Sequence, residues 1–362
     1  MKHFGFGCMR LPMAGDAVDL SQFQRMVDRF LESGCTYFDT AHGYLGGKSE
    51  TALRACLTSR YPREAYLLAD KLSPWHFTKE SEILPLFESQ LAACGVEYFD
   101  YYLMHAQNLE RYRTYTACGA YRIADALRAQ GRIRRLGVSF HGTAAELDEI
   151  LTAQPSIEFV QIQFNYVDYA DPKVDARGCY AVCRKHEKPV FIMEPVKGGL
   201  LADLPAEAEA VFAARGGSPA SFAIRYAASF SGVEMVLSGM STMEQMEENL
   251  SFMQRFEPLT EAEFAAVEEV RAILDRQDRI ACTGCRYCEE GCPKQIPIPA
   301  LFQCVNTGRR HRNWNAAEAC RRRTKDRGKA SDCIGCGACE AACPQGLPIR
   351  ALLREVAENL ES

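Results

Sequence analysis

The chain has 362 residues, with 47 acidic and 42 basic side chains and a formal net charge of −5 at pH 7. This length allows one large and one small domain to bury their cores without disulfides, and the acidic balance argues against nucleic acid as a partner of the whole protein. Because the N-terminus shows no secretory pattern and no apolar run approaches the roughly 20 residues of a membrane span, we expect a soluble, cytoplasmic protein without a membrane partner.

Residues 4–252 alternate short apolar segments rich in β-forming residues with segments of helical period. Helical periods occur over Leu20 to Ser33, Glu80 to Ala93 and Ala144 to Thr152. Eight strands alternating with helices favour a (β/α)8 TIM barrel, an α/β fold, although a doubly wound sheet shows the same alternation. The predicted strands are Gly5 to Met9, Thr36 to Thr40, Ala65 to Lys71, Asp100 to His105, Arg135 to Ser139, Phe159 to Phe164, Pro189 to Glu194 and Met235 to Gly239.

The barrel is predicted to end near Gln277. The segment from Thr260 to Arg276 predicts a closing helix with Thr260 as its N-cap. We therefore expect two domains, a barrel over residues 1–277 and a small C-terminal domain over residues 278–362. The second domain should end in a helix from Ile349 to Leu360.

Polar side chains stand at the predicted carboxyl ends of strands two, three and four. The second strand leads into the sequence FDTAHGY over residues 38–44, the third ends in Lys71, and the fourth ends in His105. The active site of a (β/α)8 barrel lies at this face of the sheet. Catalytic residues are therefore to be sought at these three strand ends.

The FDTAHGY motif, the strand-terminal lysine and the YYLMH segment over residues 101–105 resemble the aldo-keto reductases. This resemblance implies that Asp39, Tyr44, Lys71 and His105 form a catalytic tetrad. Hydride reduction of a carbonyl leaves negative charge on oxygen, which requires a proton donor and a positive field. Tyr44 would donate the proton, and Lys71 would lower the pKa of its phenol from about 10. Asp39 would hold Lys71, and His105 would orient the substrate oxygen.

The same resemblance implies a nicotinamide cofactor, NADP or NAD. Met193 stands where the family usually has a stacking tyrosine, Phe140 replaces the usual asparagine, and Gln245 occupies a position where arginine is frequent. Lys197 begins a KGG segment that would pass the pyrophosphate. The choice between NADP and NAD stays open. The implied cofactor-binding residues are Ser139, Gln161, Met193, Lys197, Gly239, Gln245, Glu248 and Asn249.

Eight of the 17 cysteines form two copies of the spacing C-x2-C-x2-C-x3-C-P. This spacing predicts two 4Fe-4S clusters with crossed ligation, since the fourth cysteine of each copy binds the other cluster. A zinc ribbon is the alternative, but it pairs two CxxC knuckles across a longer gap. The predicted ligands are Cys282, Cys285 and Cys288 with Cys343 for one cluster, and Cys333, Cys336 and Cys339 with Cys292 for the other.

The stretch from Arg309 to Lys329, between the two cysteine motifs, carries nine basic side chains against two acidic ones. Such a stretch is often only a solvated face. The alternative is a docking surface for an acidic redox protein, placed beside the clusters where contact would shorten the electron path.

The chain as a whole resembles aldo-keto reductases that carry a C-terminal dicluster ferredoxin-like domain. We therefore expect an oxidoreductase that interconverts a small carbonyl and an alcohol, with two 4Fe-4S clusters linking it to one-electron transfer. Two alternatives stay open: an electron-transfer protein whose barrel is a docking scaffold, and a reductase whose clusters are purely structural. The sequence predicts neither the substrate, nor the redox partner, nor the oligomeric state.

Overall fold

The structure is a computed structural model that describes residues 3–277, 279–310 and 314–361. The chain divides into two compact units. The first unit runs to Val196 and resumes over Val211–Glu268. The second comprises Lys197–Ala210 and the chain from Glu269 onward. A short segment of the barrel sequence therefore belongs to the second unit.

The first unit contains a closed barrel of eight parallel strands, in which each strand pairs with the next along the chain and the last pairs with the first. This closure confirms the predicted barrel and excludes the doubly wound sheet. A two-stranded antiparallel ribbon, β2 (Met13–Ala14) and β3 (Ala17–Val18), was not predicted, since it is too short for a periodic signal. The barrel strands are β1 (His3–Gly7), β4 (Tyr37–Asp39), β5 (Leu67–Leu72), β6 (Phe99–Gln107), β7 (Ile133–Phe140), β8 (Phe159–Gln163), β9 (Val190–Met193) and β10 (Val233–Ser238).

Helices follow the barrel strands. The helix over Glu261–Leu274 begins as predicted, because the Thr260 hydroxyl accepts a hydrogen bond from the Glu263 amide over 3.3 Å. None of the helices in the described part of the chain is long and apolar enough to cross a membrane. The helices up to this point are α1 (Leu20–Glu32), α2 (Lys48–Leu53), α3 (Glu80–Cys94), α4 (Leu109–Ala117), α5 (Ala120–Ala129), α6 (Ala144–Ala153), α7 (Ala176–Lys185), α8 (Ala206–Ala213), α9 (Pro219–Ala228), α10 (Met243–Met253) and α11 (Glu261–Leu274).

The barrel interior positions the candidate site. Side chains alternate along a strand, so residues two apart point to the same face. Asp39, Lys71 and His105 each stand two residues after a side chain of the interior cluster, at the carboxyl ends of neighbouring strands. Site residues therefore continue the inward-facing rows of the core. The cluster consists of Tyr37, Ala69, Leu103, Phe159, Phe191, Met235 and Leu237.

The second unit is helical and rich in cysteine. Its core includes Leu301, Phe302, Leu353 and Val356, which are at most 2% exposed. The terminal helix covers the predicted residues. The helices of this unit are α12 (Tyr287–Glu290), α13 (Ile298–Arg310), α14 (Ala316–Arg323), α15 (Ala338–Ala342) and α16 (Ile349–Leu360).

Candidate active site and cluster-binding pockets

Lys71 is buried against Asp39 at the carboxyl ends of β5 and β4. The Lys71 Nζ atom lies 2.5 Å from Asp39 Oδ1 and 2.6 Å from the Thr40 carbonyl oxygen. Lys71 is only 1% exposed. Buried charges are tolerated where they are paired and hydrogen-bonded. These contacts therefore hold an ammonium group inside the carboxyl end of the barrel.

The second carboxylate oxygen of Asp39 contacts Gln161 on β8. The Gln161 Nε2 atom donates to Asp39 Oδ2 over 3.3 Å. Burial raises the pKa of Asp39, whereas the Lys71 ammonium and the Gln161 amide favour the carboxylate. Gln161, which is predicted to contact the nicotinamide, thus also stabilises the Asp39 carboxylate.

Tyr44 lies beside both Lys71 and His105. The Lys71 Nζ atom is 4.9 Å from the centre of the Tyr44 ring. The ring centroids of Tyr44 and His105 are 5.9 Å apart, with their planes at 76°. Tyr44 follows Gly43, whose φ of +93° is easily adopted only by glycine, so the chain turns sharply after Ala41. The structure brings the four predicted tetrad side chains together.

His105 is a buried imidazole whose surroundings favour its neutral form. Burial lowers the pKa of His105 well below its usual value, and the positive charge of Lys71 lowers it further. The Ser73 hydroxyl lies 2.7 Å from His105 Nδ1, and the Trp75 ring packs edge-on at 5.7 Å. Ser73 and Trp75 follow β5 and were not predicted, since nothing in their spacing marks them as polar or aromatic contacts of a residue on β6.

His105 and His42 should titrate in opposite senses. We expect His105 to stay neutral when the pH falls below the ordinary histidine pKa of about 6.5, because burial lowers its folded-state pKa well below that value. Hydrogen bonding to Glu50 raises the pKa of His42, so it should gain its proton above about pH 6.5. Long-range proton–nitrogen spectra of protein labelled at histidine nitrogen would measure both. His42→Gln and His105→Gln variants would assign the signals, and a His105 midpoint near about 6.5 would contradict the burial argument.

A buried carboxyl pair lies behind the strand that carries Lys71. Glu50 and Asp70 are 1% and 0% exposed, and His42 Nδ1 lies 3.1 Å from a Glu50 carboxylate oxygen. Burial, and then the charge of Glu50, raise the pKa of Asp70. Asp70 Oδ1 accepts hydrogen bonds from the Lys71 amide at 2.7 Å and from Gln90 Nε2 at 3.0 Å. Asp70 thus fixes the backbone of Lys71 rather than its ammonium.

Three predicted nicotinamide contacts, Ser139, Gln161 and Met193, lie on β7, β8 and β9. Ser139 and Gln161 are each 1% exposed, and the Ser139 hydroxyl lies 3.8 Å from the Met193 sulfur. The three strands are neighbours in the barrel, with Ser139 paired to Gln161 and Gln163 to Met193. The side chains predicted to face the nicotinamide are therefore adjacent.

The predicted adenosine segment forms the turn from β10 into α10. Asn249 Nδ2 donates to the Ser238 hydroxyl over 3.1 Å, and Gln245 Oε1 accepts from the Ser241 amide at 2.7 Å. Glu248 is exposed on α10, and Gly239 directly follows β10. Gly239 thus lies in the turn, whereas Gln245, Glu248 and Asn249 lie on α10, and Asn249 and Gln245 are hydrogen-bonded within the protein.

Arg10 adds a cation to this region that sequence reasoning missed. Its backbone carbonyl accepts from the Ser241 hydroxyl at 2.8 Å, and its guanidinium lies 3.5 Å from Glu194. Arg10 belongs to the loop after β1 and is 231 residues from Ser241 in sequence. Only barrel closure places it beside the β10 turn.

In the second unit, the eight motif cysteines line two pockets, four in each. The first pocket is lined by Cys282, Cys285, Cys288 and Cys343. The second pocket is lined by Cys292, Cys333, Cys336 and Cys339. The two pockets are of similar size, which suits two groups of the same kind. Each pocket combines three cysteines of one motif with the fourth of the other, the arrangement predicted from the spacing.

Lys197 lies in the second unit, although it is predicted to bind the pyrophosphate of a nicotinamide cofactor. It is 5% exposed, and its Nζ atom donates to Gln345 Oε1 over 2.9 Å. Gln345 stands two residues after Cys343 and lines the first pocket. Pyrophosphate binding by Lys197 stays a prediction.

The basic stretch from Arg309 to Lys329 is partly neutralised. Arg312 lies outside the described residues. Arg322, Arg323 and Lys325 are exposed, so part of the stretch presents positive charge, and docking of an acidic redox protein stays a prediction. Three other arginines form ion pairs: Arg309 with Glu355, Arg321 with Glu318, and Arg327 with Glu289.

Two family models match successive parts of the chain. The model of the aldo/keto reductase family matches residues 3–272. The model of the 4Fe-4S dicluster domain matches residues 281–347. The first match covers most of the chain, and the second covers both cysteine motifs up to residue 347.

Sequence relatives are distant. An aldo-keto reductase from Mycolicibacterium smegmatis is 35% identical over 117 residues, which is 32% of this chain and 40% of the relative. The uncharacterized oxidoreductase YtbE from Bacillus subtilis is 24% identical over 211 residues, which is 58% of this chain and 69% of that protein. The alignment with the first relative thus spans less than half of its length.

Solved structures share the barrel fold. An aldo-keto reductase from Klebsiella pneumoniae in complex with NADPH superposes with a TM-score of 0.60 at 19% identity, over 74% of this chain and 90% of that one. The holo form of an aldo-keto reductase from Bacillus halodurans gives a TM-score of 0.61 at 22% identity, over 74% and 91%. At these identities the likeness establishes the fold.

Proposed function

The chain belongs to the aldo/keto reductase family, and on that premise we propose that its barrel interconverts a small carbonyl compound and an alcohol with NADP or NAD. We also propose that its C-terminal 4Fe-4S dicluster domain binds two clusters that link the barrel to one-electron transfer. The observation that carries the first proposal is the position of the Lys71 ammonium, which contacts Asp39 and lies 4.9 Å from the centre of the Tyr44 ring.

The chemistry of the barrel follows from this arrangement. A bound nicotinamide supplies or takes up hydride. In the reducing direction, Tyr44 donates its hydroxyl proton to the carbonyl oxygen, and the resulting phenolate is stabilised by the Lys71 ammonium before it regains a proton from solvent. Asp39 and the Thr40 carbonyl keep Lys71 in place. The neutral His105, anchored by Ser73, can share a hydrogen bond with the substrate oxygen without taking the proton.

The residues of the two pockets suit iron–sulfur clusters. Thiolates are the ligands of 4Fe-4S clusters, and four cysteines line each pocket. Ile296, Ile298 and Leu353 pack beside the cysteines, and Cys288 and Cys339 are buried among them, whereas Cys336 is exposed. A bound cluster accepts one electron, so two clusters together match the two electrons of one hydride. Because a hydride carries its two electrons together and a cluster would take them one at a time, the proposed link requires the electron pair to be divided between the nicotinamide and the clusters.

Anaerobic mixing with nicotinamides tests the proposal. Reduced nicotinamide should bleach the visible cluster absorbance, or oxidised nicotinamide should restore it in protein reduced with dithionite. Up to two electrons should pass per nicotinamide, one per cluster. NADPH and NADH would be compared with and without a panel of small carbonyl compounds, and protein without nicotinamide serves as the control.

Each contrary outcome identifies an alternative. Carbonyl turnover with constant cluster absorbance would indicate clusters that only hold the C-terminal domain folded. Failure of both nicotinamides to bind would indicate a barrel that serves as a docking scaffold.

A further inference from the structure

The KGG segment that follows β9 packs within the second unit. The chain leaves β9 at Met193, and the second unit begins at Lys197. This segment therefore continues the strand that carries a predicted nicotinamide contact, yet its own contacts are with the cysteine-rich residues.

Gly198 packs its backbone directly on one half of the first pocket. Its φ is +66°, and a Cβ there would lie 2.3 Å from the Thr283 carbonyl oxygen and 2.7 Å from Thr283 Cα. No side chain fits at such distances, so only glycine allows this approach. Thr283 is 4% exposed and stands between Cys282 and Cys285 in the lining of the first pocket.

Lys197 contacts the other half of the same pocket. Its Nζ atom donates to Gln345 Oε1, and Gln345 is 7% exposed and follows Cys343 by two residues. The segment 197–198 thus touches both stretches of chain that supply cysteines to the first pocket. It also places the buried ammonium of Lys197 against a residue of the pocket lining.

Cations near the second pocket are placed differently. Lys294 and Arg350 belong to its lining, but both are exposed, and Arg350 is paired with Glu340 at 2.8 Å. Exposed charges are screened by water and salt, whereas a buried charge acts through a lower effective dielectric. The buried cation therefore distinguishes the first pocket from the second.

We propose that Lys197 is a positioning and electrostatic residue for the first cluster, held by Cys282, Cys285, Cys288 and Cys343, and that it makes this cluster easier to reduce. An added electron increases negative charge in the pocket, and the nearby ammonium stabilises it. This inference rests on the proposed binding of clusters by the C-terminal domain. It gives the KGG segment a role in the second unit.

Redox titration of full-length, anaerobically purified protein followed by electron paramagnetic resonance tests this role. At a fixed applied potential, Lys197→Met should lower the ratio of reduced to oxidised first cluster by about tenfold, which corresponds to the loss of about 1.4 kcal/mol of charge stabilisation. Lys197→Arg keeps the charge and should change the ratio by less than about twofold. Lys173→Met, which removes an exposed lysine outside both pockets, is the matched control and should leave the first cluster unchanged.

A further variant guards against loss of the cluster in Lys197→Met. Gln345→Glu keeps the lysine and sets a carboxylate against it, so the ratio should fall in the same direction. If the ratio is unchanged in Lys197→Met and in Gln345→Glu while the iron content is intact, the inference about Lys197 is wrong and the proposed cluster binding stands. If Lys197→Met instead raises only the KM for NADPH, the lysine binds the pyrophosphate and the inference is wrong. Wild-type protein that cannot be loaded with iron overturns both the inference and the proposed clusters.

Discussion

Replacement of Tyr44 by phenylalanine is expected to lower kcat/KM for carbonyl reduction by about 10²- to 10⁴-fold, the range typical of losing a general acid. The ring would keep its place beside Lys71 and His105, since only the hydroxyl is removed. What is lost is the proton that the carbonyl oxygen needs as hydride arrives. Steady-state oxidation of reduced nicotinamide, measured without oxygen, would give the rate.

Tyr180→Phe is the matched control for this variant. The Tyr180 hydroxyl donates to the Ser231 carbonyl oxygen over 2.6 Å on the exposed side of α7. Its removal should leave turnover near the wild-type value, and both variants should keep the cluster absorbance. Turnover of Tyr44→Phe within about threefold of the wild type would show that Tyr44 is not the proton donor. This conclusion does not depend on how the clusters are bound.

The barrel was predictable because its signal is local. Each strand is a short apolar run, and the alternation of inward and outward side chains extends the core rows to Asp39, Lys71 and His105. Once the strand ends are known, the carboxyl face of the barrel gathers these residues without further information. Periodicity and strand ends thus locate Asp39, Lys71 and His105, whereas Tyr44 and the tetrad itself came from the resemblance to the aldo-keto reductases.

The contacts that tune the tetrad were not predictable in the same way. Gln161 reaches Asp39 across a sequence separation of 122 residues, and Ser73 meets a histidine on the next strand. In the second unit, likewise, Lys197 contacts Gln345 across a sequence separation of 148 residues. Such contacts depend on the tertiary arrangement of segments that are distant in sequence, and hydrophobic periodicity does not predict that arrangement. A resemblance between short motifs, such as KGG, predicts a residue's neighbourhood only where the surrounding chain follows the same path.

Crossed ligation is the second expectation with a large effect. Cys285→Ala and Cys343→Ala should each halve the iron content, from about eight to about four atoms per chain. If both cysteines bind the same cluster, as their shared pocket indicates, the double variant should also retain about half the iron. Iron and acid-labile sulfide, measured after anaerobic reconstitution, would report the loss.

The complementary double variant makes the test decisive. Cys285→Ala with Cys292→Ala removes one ligand from each pocket and should abolish both clusters. Under uncrossed ligation the two double variants would exchange results, because Cys285 and Cys292 would then share a cluster. Cys304→Ala, at a buried cysteine of the same unit outside both linings, should retain all the iron. Both schemes assign the first three cysteines of each motif to one cluster. They differ only in which cluster Cys292 and Cys343 bind, although these residues are 51 apart in sequence. The two double variants measure that difference directly.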